Sequence, residues 1–421
     1  MSAGYADAGR PFVAGHSAKG GAVGIYQYGV TDFARIAAGA AVLASGGGGS
    51  YADARGVLTE LAPVWGGTVR VQDYDGASDC CVLAMMGSPD AAQQLSLASI
   101  LSSIANTLDA CKTVQPGGFR CFIPVEIGPV NSLIPLLAAA LLPTGGYWVV
   151  DGDGAGRAVP ELPQTTFAGA PLLAVSPAVL ASDTSQGGAP QSAVLTAPNA
   201  AAMETLAGAI VGAFGSISGI ALWPSVAPDR HALSGNYIPG TLAQAWALGD
   251  LLVRAPRPLT TAAVAQAINA ITGRRAAAVV TNFYITDVRQ ATTSGSLDAG
   301  VIRLDNAPRH EQSSETHLLY NLNENLVMYS SQAGAPDVIA PDSICYYSEA
   351  TGAGFSNALN DLAQYYDFTA RRSTGRAVSV IRVEAAPRLV ATPGVVASFA
   401  ALLRNIGYGG AMPYPPAQGR G

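Results

Sequence analysis

Short apolar runs alternate with helical segments between residues 68 and 150, and this alternation constrains the fold more than any other feature. Strand-like runs of apolar and β-branched residues occupy 68–71, 80–86, 121–125 and 147–150. Segments in which apolar residues recur at helical spacing lie between them, at about 90–112 and 132–142. Because parallel strands need crossover connections, which are usually helices, the pattern predicts an α/β domain with a largely parallel sheet over residues 31–198.

The rest of the chain has a different pattern, and we expect it to form a second domain over residues 199–421. Residues 170–198 are rich in Pro, Ser, Thr and Ala, as is typical of a crossover between domains. Three helical segments follow, and short β runs succeed them from residue 276 onward. This order predicts an α+β domain with a mainly antiparallel sheet. Residues 1–30 are Gly/Ala-rich and weakly periodic, and we expect a loose arm there.

The composition excludes several classes of protein. Hydrophobic residues make up 49% of the 421 residues and charged residues 12%, with a mean hydropathy of +0.27. The longest apolar stretch, 134–142, ends at Pro143 and is far shorter than the ~20 residues that a membrane-spanning helix needs. The net charge is −6 and the chain has no basic run, so we expect neither a nucleic-acid partner nor a membrane partner.

Cysteine usage and the first residues of the sequence favour a cytoplasmic protein. The five cysteines include no CxxC pair, and the adjacent Cys80 and Cys81 would point to opposite faces of a strand. This is not the pattern of a secreted disulfide framework. The N-terminal residues also lack the apolar segment of a secretory signal.

The stretch from 124 to 167 carries the strongest indication of a functional site. Glu126 follows one predicted strand, and Asp151 and Asp153 follow the next. Since the carboxyl ends of parallel strands meet at one edge of a sheet, we expect these carboxylates to converge there with Asn131. Further polar residues follow within reach: Arg157, Glu161, Gln164, Thr165 and Thr166. The alternative is that the two aspartates only satisfy main-chain N–H groups of their turn.

The string Asp151-Gly-Asp153-Gly-Ala-Gly156 resembles the start of an EF-hand loop, but the ligand positions that should follow are Ala155 and Leu162. A calcium loop is therefore excluded. A divalent metal held by Asp151, Asp153 and Glu126 remains open, and such an all-carboxylate set would suit Mg²⁺ or Mn²⁺ better than Zn²⁺.

Four consecutive glycines, 46–49, separate two predicted helices. Their amides could form an anion-binding nest at the N-terminus of the second helix, or the segment could be a flexible turn. Residues 87–89 form a similar but weaker case after a strand.

Among the histidines, His231 lies in a polar loop and is the best acid/base candidate, although an ordinary surface histidine is the alternative. His310 and His317 lie among polar residues, and we expect both to be solvated. The sequence contains no HExxH motif and no GxSxG motif, so it supports neither a zinc protease of that type nor a serine hydrolase elbow.

Several strings of the sequence together resemble one family. They are 36–50 (IAAGAAVLASGGGGS), 85–89 (MMGSP), 124–136 (PVEIGPVNSLIPL), 149–167 (VVDGDGAGRAVPELPQTTF), 238–245 (IPGTLAQA), 323–326 (NENL) and 341–345 (PDSIC). Over about 32–413, the chain is similar to the DUF917 family of S-methyl thiohydantoin desulfurase-like proteins. The resemblance implies a two-domain α/β protein that hydrolyses an S-methylated thiohydantoin to a hydantoin and releases methanethiol.

This activity would assign roles to the residues singled out above. Attack of water on an sp² ring carbon needs a carboxylate base, for which Asp153 and Glu126 are the candidates. Donors for the developing charge would be Gly47, Gly48, Gly49, Asn131 and Thr166. Asp151, Arg157 and Glu161 would hold the geometry, and Met86, Ser132, Gln164 and Thr165 complete the predicted substrate site. The sequence itself requires no cofactor.

One departure from the family pattern leaves alternatives open. Pro129 stands where the family string EIGG has glycine, which removes a main-chain N–H and stiffens the loop after Glu126. The alternatives are a hydratase, cyclase or lyase acting on another small heterocycle, and a non-catalytic partner subunit of a hydantoinase-like enzyme. We expect a small-molecule substrate and a homo-oligomer, dimeric or higher.

Overall fold

The structure is a computed structural model that describes residues 24–87, 95–142, 146–215, 217–294 and 297–417. Most of the predicted arm, and residues 88 and 89 of the second glycine-containing loop, lie outside these described residues. Among the described residues, none of the helices is both long and apolar enough to cross a membrane.

The first domain is built on a sheet of eight strands flanked by helices. Its strands, together with the short β6 that lies outside this sheet, are β1 (Tyr26–Tyr28), β2 (Val69–Gln72), β3 (Cys80–Gly87), β4 (Cys121–Pro124), β5 (Trp148–Val150), β6 (Gly152–Asp153), β7 (Ala178–Ala181), β8 (Ser192–Leu195) and β9 (Ile217–Ser225). The helices are α1 (Val30–Leu43), α2 (Tyr51–Leu61), α3 (Leu97–Cys111), α4 (Ile134–Leu141) and α5 (Ala200–Ala213).

The centre of this sheet is parallel, as predicted. The strand order is β1-β2-β5-β4-β3-β9-β7-β8, and β2, β5, β4 and β3 run parallel to one another. The outer strands are antiparallel, so the sheet is mixed. After α5, strand β9 returns to pair with β3, so residues 217–225 complete this sheet.

Strand β3 shows why the central strands read as continuous apolar runs. Cys81 and Leu83 belong to the hydrophobic core on one face of the sheet, whereas Cys80 and Val82 belong to the core on the other. A strand covered by helices on both faces buries every side chain, so its sequence does not alternate with polar residues. The prediction that Cys80 and Cys81 point to opposite faces is confirmed.

The second domain contains the predicted antiparallel sheet. The remaining strands are β10 (Ile238–Pro239), β11 (Ala276–Ser294), β12 (Leu297–Asp305), β13 (Thr316–Leu322), β14 (Glu324–Ser330), β15 (Pro336–Ile339), β16 (Ser343–Tyr347), β17 (Tyr366–Asp367), β18 (Arg372–Ser373) and β19 (Val378–Val383). Seven of them form this sheet in the order β15-β14-β13-β12-β11-β19-β16, all antiparallel to their neighbours. The remaining helices are α6 (Thr241–Arg254), α7 (Thr261–Thr272), α8 (Leu359–Leu362), α9 (Pro387–Ala391) and α10 (Val395–Asn405).

Helices α1 and α6 pack with their backbones in close approach. A Cβ on Gly39 would lie 1.9 Å from the carbonyl oxygen of Ala245, and a Cβ on Gly249 would lie 1.8 Å from that of Arg35. Only glycine fits at either position, because real Cβ contacts are never this short. This packing fixes α1, and with it the glycine loop that follows, against the element that opens the second half of the chain.

Candidate active site

A cavity of about 130 Å³ opens at the carboxyl edge of the parallel strands. The ends of β3 and β4 form one wall, the glycine loop between α1 and α2 forms another, and the turn between β13 and β14 of the second domain reaches it. Seven residues that were predicted for the site line this cavity: Gly48, Gly49, Met86, Glu126, Asn131, Glu161 and Thr165. The predicted position of the site, beside these strand ends, is where the structure has a cavity.

Glu126 is buried at the cavity wall and is held by two donors. The amide nitrogen Nδ2 of Asn131 donates to Oε1 at 2.8 Å, and the main-chain N–H of Val159 donates to Oε2 at 2.7 Å. Burial raises the pKa of Glu126 to about 7, while the two hydrogen bonds oppose that rise. Each carboxylate oxygen keeps lone-pair capacity for a further donor. Glu126 therefore presents an ionisable group whose charge changes near neutral pH.

A second buried carboxyl group, that of Glu324, enters the cavity from the other domain. Leu322 and Glu324 face each other across the β13–β14 hairpin, so Asn323 alone forms the turn. Asn323 has φ +56°, a left-handed conformation that asparagine tolerates better than most residues. Both Asn323 and Glu324 line the cavity. This tight turn therefore delivers a carboxyl group from a position about 200 residues away in sequence from Glu126.

The environment of Glu324 differs from that of Glu126. Its Oε2 atom is buried and has no hydrogen-bond partner among the residues that the structure describes. Burial raises the pKa of Glu324 well above its ordinary value, and the nearby Glu126 adds to this rise. Arg157 opposes it, as do hydrogen bonds from the main-chain N–H groups of Gly48 and of Glu324 itself. A buried oxygen with no donor favours the neutral acid, because the ionised form would lose its hydration without replacement.

The glycine loop fits tightly between these two carboxyl groups. A Cβ on Gly47 would lie 1.8 Å from Oε1 of Glu324, and a Cβ on Gly48 would lie 2.3 Å from the Cα of Gly128. The carbonyl oxygen of Gly48 accepts a hydrogen bond from the N–H of Val130 at 3.0 Å. The loop is thus a fitted element of the cavity wall and not a loose turn. Gly47 itself supports Glu324 from behind and does not line the cavity.

The predicted anion site at the N-terminus of α2 is occupied by the protein itself. Asp361 accepts hydrogen bonds from the main-chain N–H groups of Tyr51 and Ala52, each at 2.9 Å, and from the hydroxyl of Ser50. The expectation of a carboxylate at this helix end is therefore met by a residue of the second domain. The prediction that this loop binds a ligand anion is wrong, because the buried side chain of Asp361 already occupies the helix N-terminus.

Asp151 and Asp153 do not join Glu126 at the cavity wall, although Asp153 lies near enough to Glu126 to raise the pKa of that group. Both oxygens of Asp153 accept hydrogen bonds from the N–H of Gly156 at 2.9 Å, and Oδ2 also accepts from that of Ala155 at 3.2 Å. Asp151 accepts a hydrogen bond from the N–H of Ala243 in the first turn of α6 at 3.1 Å. Neither residue lines the cavity. The alternative that these aspartates satisfy nearby amides describes them better.

Arg157 is buried and joins the two domains through main-chain carbonyl groups. Its guanidinium donates to the carbonyl oxygens of Ala158, Asn325, Pro341 and Asp342, at 2.8 to 3.1 Å. The hydrogen-bond donors of the guanidinium thus bond to carbonyl groups of the protein itself. Arg157 thus lies behind the cavity wall, where it joins the two domains, and does not line the cavity.

Four further predicted residues also lie outside the cavity. The hydroxyl of Ser132 accepts a hydrogen bond from the N–H of Gly128, and Gln164 is bonded to Glu161 and Ser398. The hydroxyl of Thr166 donates to the carbonyl oxygen of Asn236. His231 is exposed and does not line the cavity, so the structure does not bring it to the other candidates.

The structure also places the other histidines and the cysteines that the sequence analysis considered. The solvated state expected for His317 is wrong, because this residue is buried between Asp337 and Glu315, with nitrogen–oxygen distances of 2.9 Å to each. His310 is exposed, as expected. The five cysteines are buried and free. Within the described residues, no three His, Cys, Asp or Glu side chains come together in a way that could hold a metal ion, so the carboxylate metal set is not assembled there.

Three polar residues of the cavity wall were missed as site residues: Asn323, Glu324 and Glu204. Asn323 and Glu324 were present in one of the strings that carried the family resemblance, so that string was a usable sign. Glu204 is the one charged residue of α5, and a single carboxylate gives no pattern to interpret.

Comparison with known proteins now identifies the family. Residues 31–189 match the S-Me-THD-like N-terminal domain, and residues 198–397 match the S-Me-THD-like C-terminal domain. The chain belongs to the S-Me-THD-like family. This confirms the family suggested by the sequence strings and supports an enzymatic role of that general type. Among curated proteins, the comparison found no match.

One similar structure supports the two-domain fold of this S-Me-THD-like protein. It is the crystal structure of a protein from Chromobacterium violaceum, which is 26% identical to this chain and superimposes with a TM-score of 0.74. The match covers 93% of this chain and 100% of the other. The two domains described above therefore occur together in a second protein.

Proposed function

We propose that this protein hydrolyses a small cyclic, amidine-like substrate such as an S-methyl thiohydantoin, with Glu126 and Glu324 as the catalytic pair. One observation carries the proposal: carboxyl groups from two different domains line the same cavity, in surroundings that favour opposite protonation states. Paired carboxyl groups whose environments separate their pKa values are suited to act as a base and an acid.

The surroundings assign the two roles. Glu126 receives two hydrogen bonds, which favour its ionised form, and this makes it the base. Glu324 has an oxygen without a donor and lies beside Glu126, so it keeps its proton and acts as the acid. This arrangement resembles general acid–base catalysis, in which each correctly placed group contributes ~10²–10⁴-fold to the rate.

The reaction balances with these two groups alone. Glu126 takes a proton from water as the oxygen attacks the ring carbon that carries the S-methyl group, and Glu324 gives its proton to the adjacent ring nitrogen. The tetrahedral intermediate then collapses to a carbonyl group, and its hydroxyl proton returns to Glu324. The carbon–sulfur bond breaks, and the leaving thiolate takes the proton held by Glu126. The products are a hydantoin and methanethiol, and both carboxyl groups regain their starting states.

The dimensions of the cavity fit a small ring. Its volume of about 130 Å³ is well below the ~300–1,000 Å³ of pockets that bind drug-sized ligands. Apolar side chains cover much of the wall: Ala84, Leu95, Val125, Val130, Ile220 and Leu222. A water-poor wall of this kind strengthens the electrostatic effect of the two carboxyl groups on the reacting atoms.

Thiol release from S-methyl thiohydantoins tests the proposal, in parallel with a panel of hydantoins and lactams. We expect methanethiol release by the wild type, and a loss of at least about a hundredfold in kcat for Glu126→Gln and for Glu324→Gln. Glu311→Gln, at an exposed position, is the matched control and should keep full activity. Far-UV circular dichroism and thermal unfolding verify that the variants fold.

Two results would contradict this function. Turnover of the hydantoins or lactams without thiol release would show a ring-opening reaction in place of desulfurisation. Wild-type rates in both glutamine variants would remove the carboxyl pair from the chemistry.

A further inference from the structure

We infer that the cavity selects its substrate by charge: it accepts rings with an uncharged substituent and rejects rings that carry a carboxylate, and Glu161 and Glu204 impose this selection. This selection defines the substrate class of the proposed hydrolysis, and its effect on kcat/KM rests on that function. The selection itself is a property of binding, so it can also be measured without turnover.

Glu161 and Glu204 line the cavity but have no part in the proposed reaction. Glu204 lies on α5, and its Oε2 accepts a hydrogen bond from the main-chain N–H of Leu162 at 2.9 Å. This bond anchors the carboxyl group at the wall, directly beside the backbone that carries Glu161. The cavity thus has a second pair of acidic groups, contributed by a helix and a short loop that bear neither catalytic residue.

The cavity wall presents no positively charged side chain among the described residues, although the charge of Arg157 behind the wall opposes the rise in the pKa of Glu324. Its lining contains Glu126, Glu161, Glu204 and Glu324, and none of the described lining residues is Lys, Arg or His. The guanidinium of Arg157 lies behind the wall and is bonded to carbonyl groups. Above about pH 7, where Glu126 and Glu204 are ionised, a carboxylate inside the cavity would lose its water shell and meet like charges, a combination that strongly opposes binding.

An uncharged substituent has favourable contacts in the same cavity. Ala84, Leu95, Ile217, Ile220 and Leu222 form an apolar surface within it. A short alkyl or carboxamide chain can lie against this surface without a charge to bury. The cavity thus disfavours a charged substituent and favours an apolar one, and specific binding sites commonly combine two such effects.

A matched pair of substrates isolates the charge. One S-methyl thiohydantoin carries a 2-carboxyethyl group at the ring carbon, and the other carries the nearly isosteric 2-carbamoylethyl group. At about pH 8, where Glu126 and Glu204 are ionised, we expect kcat/KM to be at least about tenfold higher for the carboxamide, because only the carboxylate meets like charges. The ratio of kcat/KM for the carboxamide to kcat/KM for the carboxylate should fall in Glu204→Gln and in Glu161→Gln. In Glu311→Gln this ratio should stay at the wild-type value.

The result that overturns the inference is a ratio near one in the wild type, or a ratio that neither glutamine variant nor the double variant changes. A binding measurement separates this outcome from failure of the proposed reaction. If neither S-methyl compound is turned over, the hydrolysis fails, and calorimetry with the two corresponding hydantoins still tests the selection. The selection is supported if the hydantoin with the carboxylate binds more weakly than the one with the carboxamide and if Glu204→Gln brings the two affinities closer together. Equal binding of the two, or no binding of either, overturns it.

Discussion

The carboxylate of Asp361 in the second domain accepts a hydrogen bond from the main-chain N–H of Tyr51 in the first domain, at 2.9 Å. The same carboxylate accepts bonds from Ala52 and from the N–H and hydroxyl of Ser356. The first turn of α2 is thus capped by a residue about 310 positions away. Because α2 begins directly after the glycine loop, this contact fixes one end of the cavity wall.

Asp361→Asn should weaken both the fold and the active site. Asparagine loses the charge that favours a helix N-terminus and replaces one acceptor oxygen by a donor, which leaves buried N–H groups unpaired. We expect a loss of about 1–3 kcal/mol in the free energy of unfolding, measured by urea denaturation, and a lower kcat. Asp109→Asn, at a side chain that is 77% exposed, serves as the control. Equal losses in the two variants would contradict the capping role.

Gly47→Ala should strongly reduce turnover by displacing Glu324. The added methyl group would lie 1.8 Å from Oε1 of that residue, so the carboxyl group must move. We expect kcat to fall by at least about a hundredfold, as for loss of the acid itself. Gly56→Ala is the control, because a Cβ at that helical position meets nothing within 4 Å. It should keep full activity and gain about 0.5–1 kcal/mol of stability. Normal turnover in Gly47→Ala would show that Glu324 does not depend on this contact.

The sequence predicted one side of the candidate site but not the other. The buried strands β3 and β4 are apolar on both faces, and this composition identified the parallel edge at which Met86 and Glu126 lie. The position of a residue after a strand is not enough to give the direction of its side chain. In the turn of 151–156 the aspartates point to main-chain N–H groups, and both outcomes were compatible with the same sequence.

The proposed catalytic partner from the second domain, Glu324, could not be derived from local sequence pattern. Glu324 reaches Glu126 only because the two domains pack together, and no periodicity links residues so far apart. A one-residue turn with a left-handed asparagine is likewise unusual, since hairpin turns most often have two residues. The string 323–326, one of those that carried the family resemblance, contains both Asn323 and Glu324.

The pH dependence of kcat/KM should follow the ionisation of Glu126. Burial raises the pKa of this group to about 7, so it is protonated and inactive as a base below that pH. We expect kcat/KM to fall as the pH falls through about 7. Asn131→Ala removes a hydrogen bond that favours the ionised form, so the midpoint should move to higher pH. An unchanged midpoint in Asn131→Ala would show that a group other than Glu126 controls the fall of kcat/KM at low pH.

Glu204→Gln should change the dependence of stability on pH. Burial raises the pKa of Glu204 from 4.5 to about 7, so the folded protein binds more protons than the unfolded chain between these values. Its contribution to stability is therefore fully present below about 4.5 and is lost as the pH rises through about 7. Relative to the wild type, the variant should gain on the order of 3 kcal/mol in the free energy of unfolding between about pH 5 and about pH 8. Urea denaturation at the two pH values measures this, with Glu311→Gln as the exposed control, and a difference that is the same at both pH values would contradict the raised pKa.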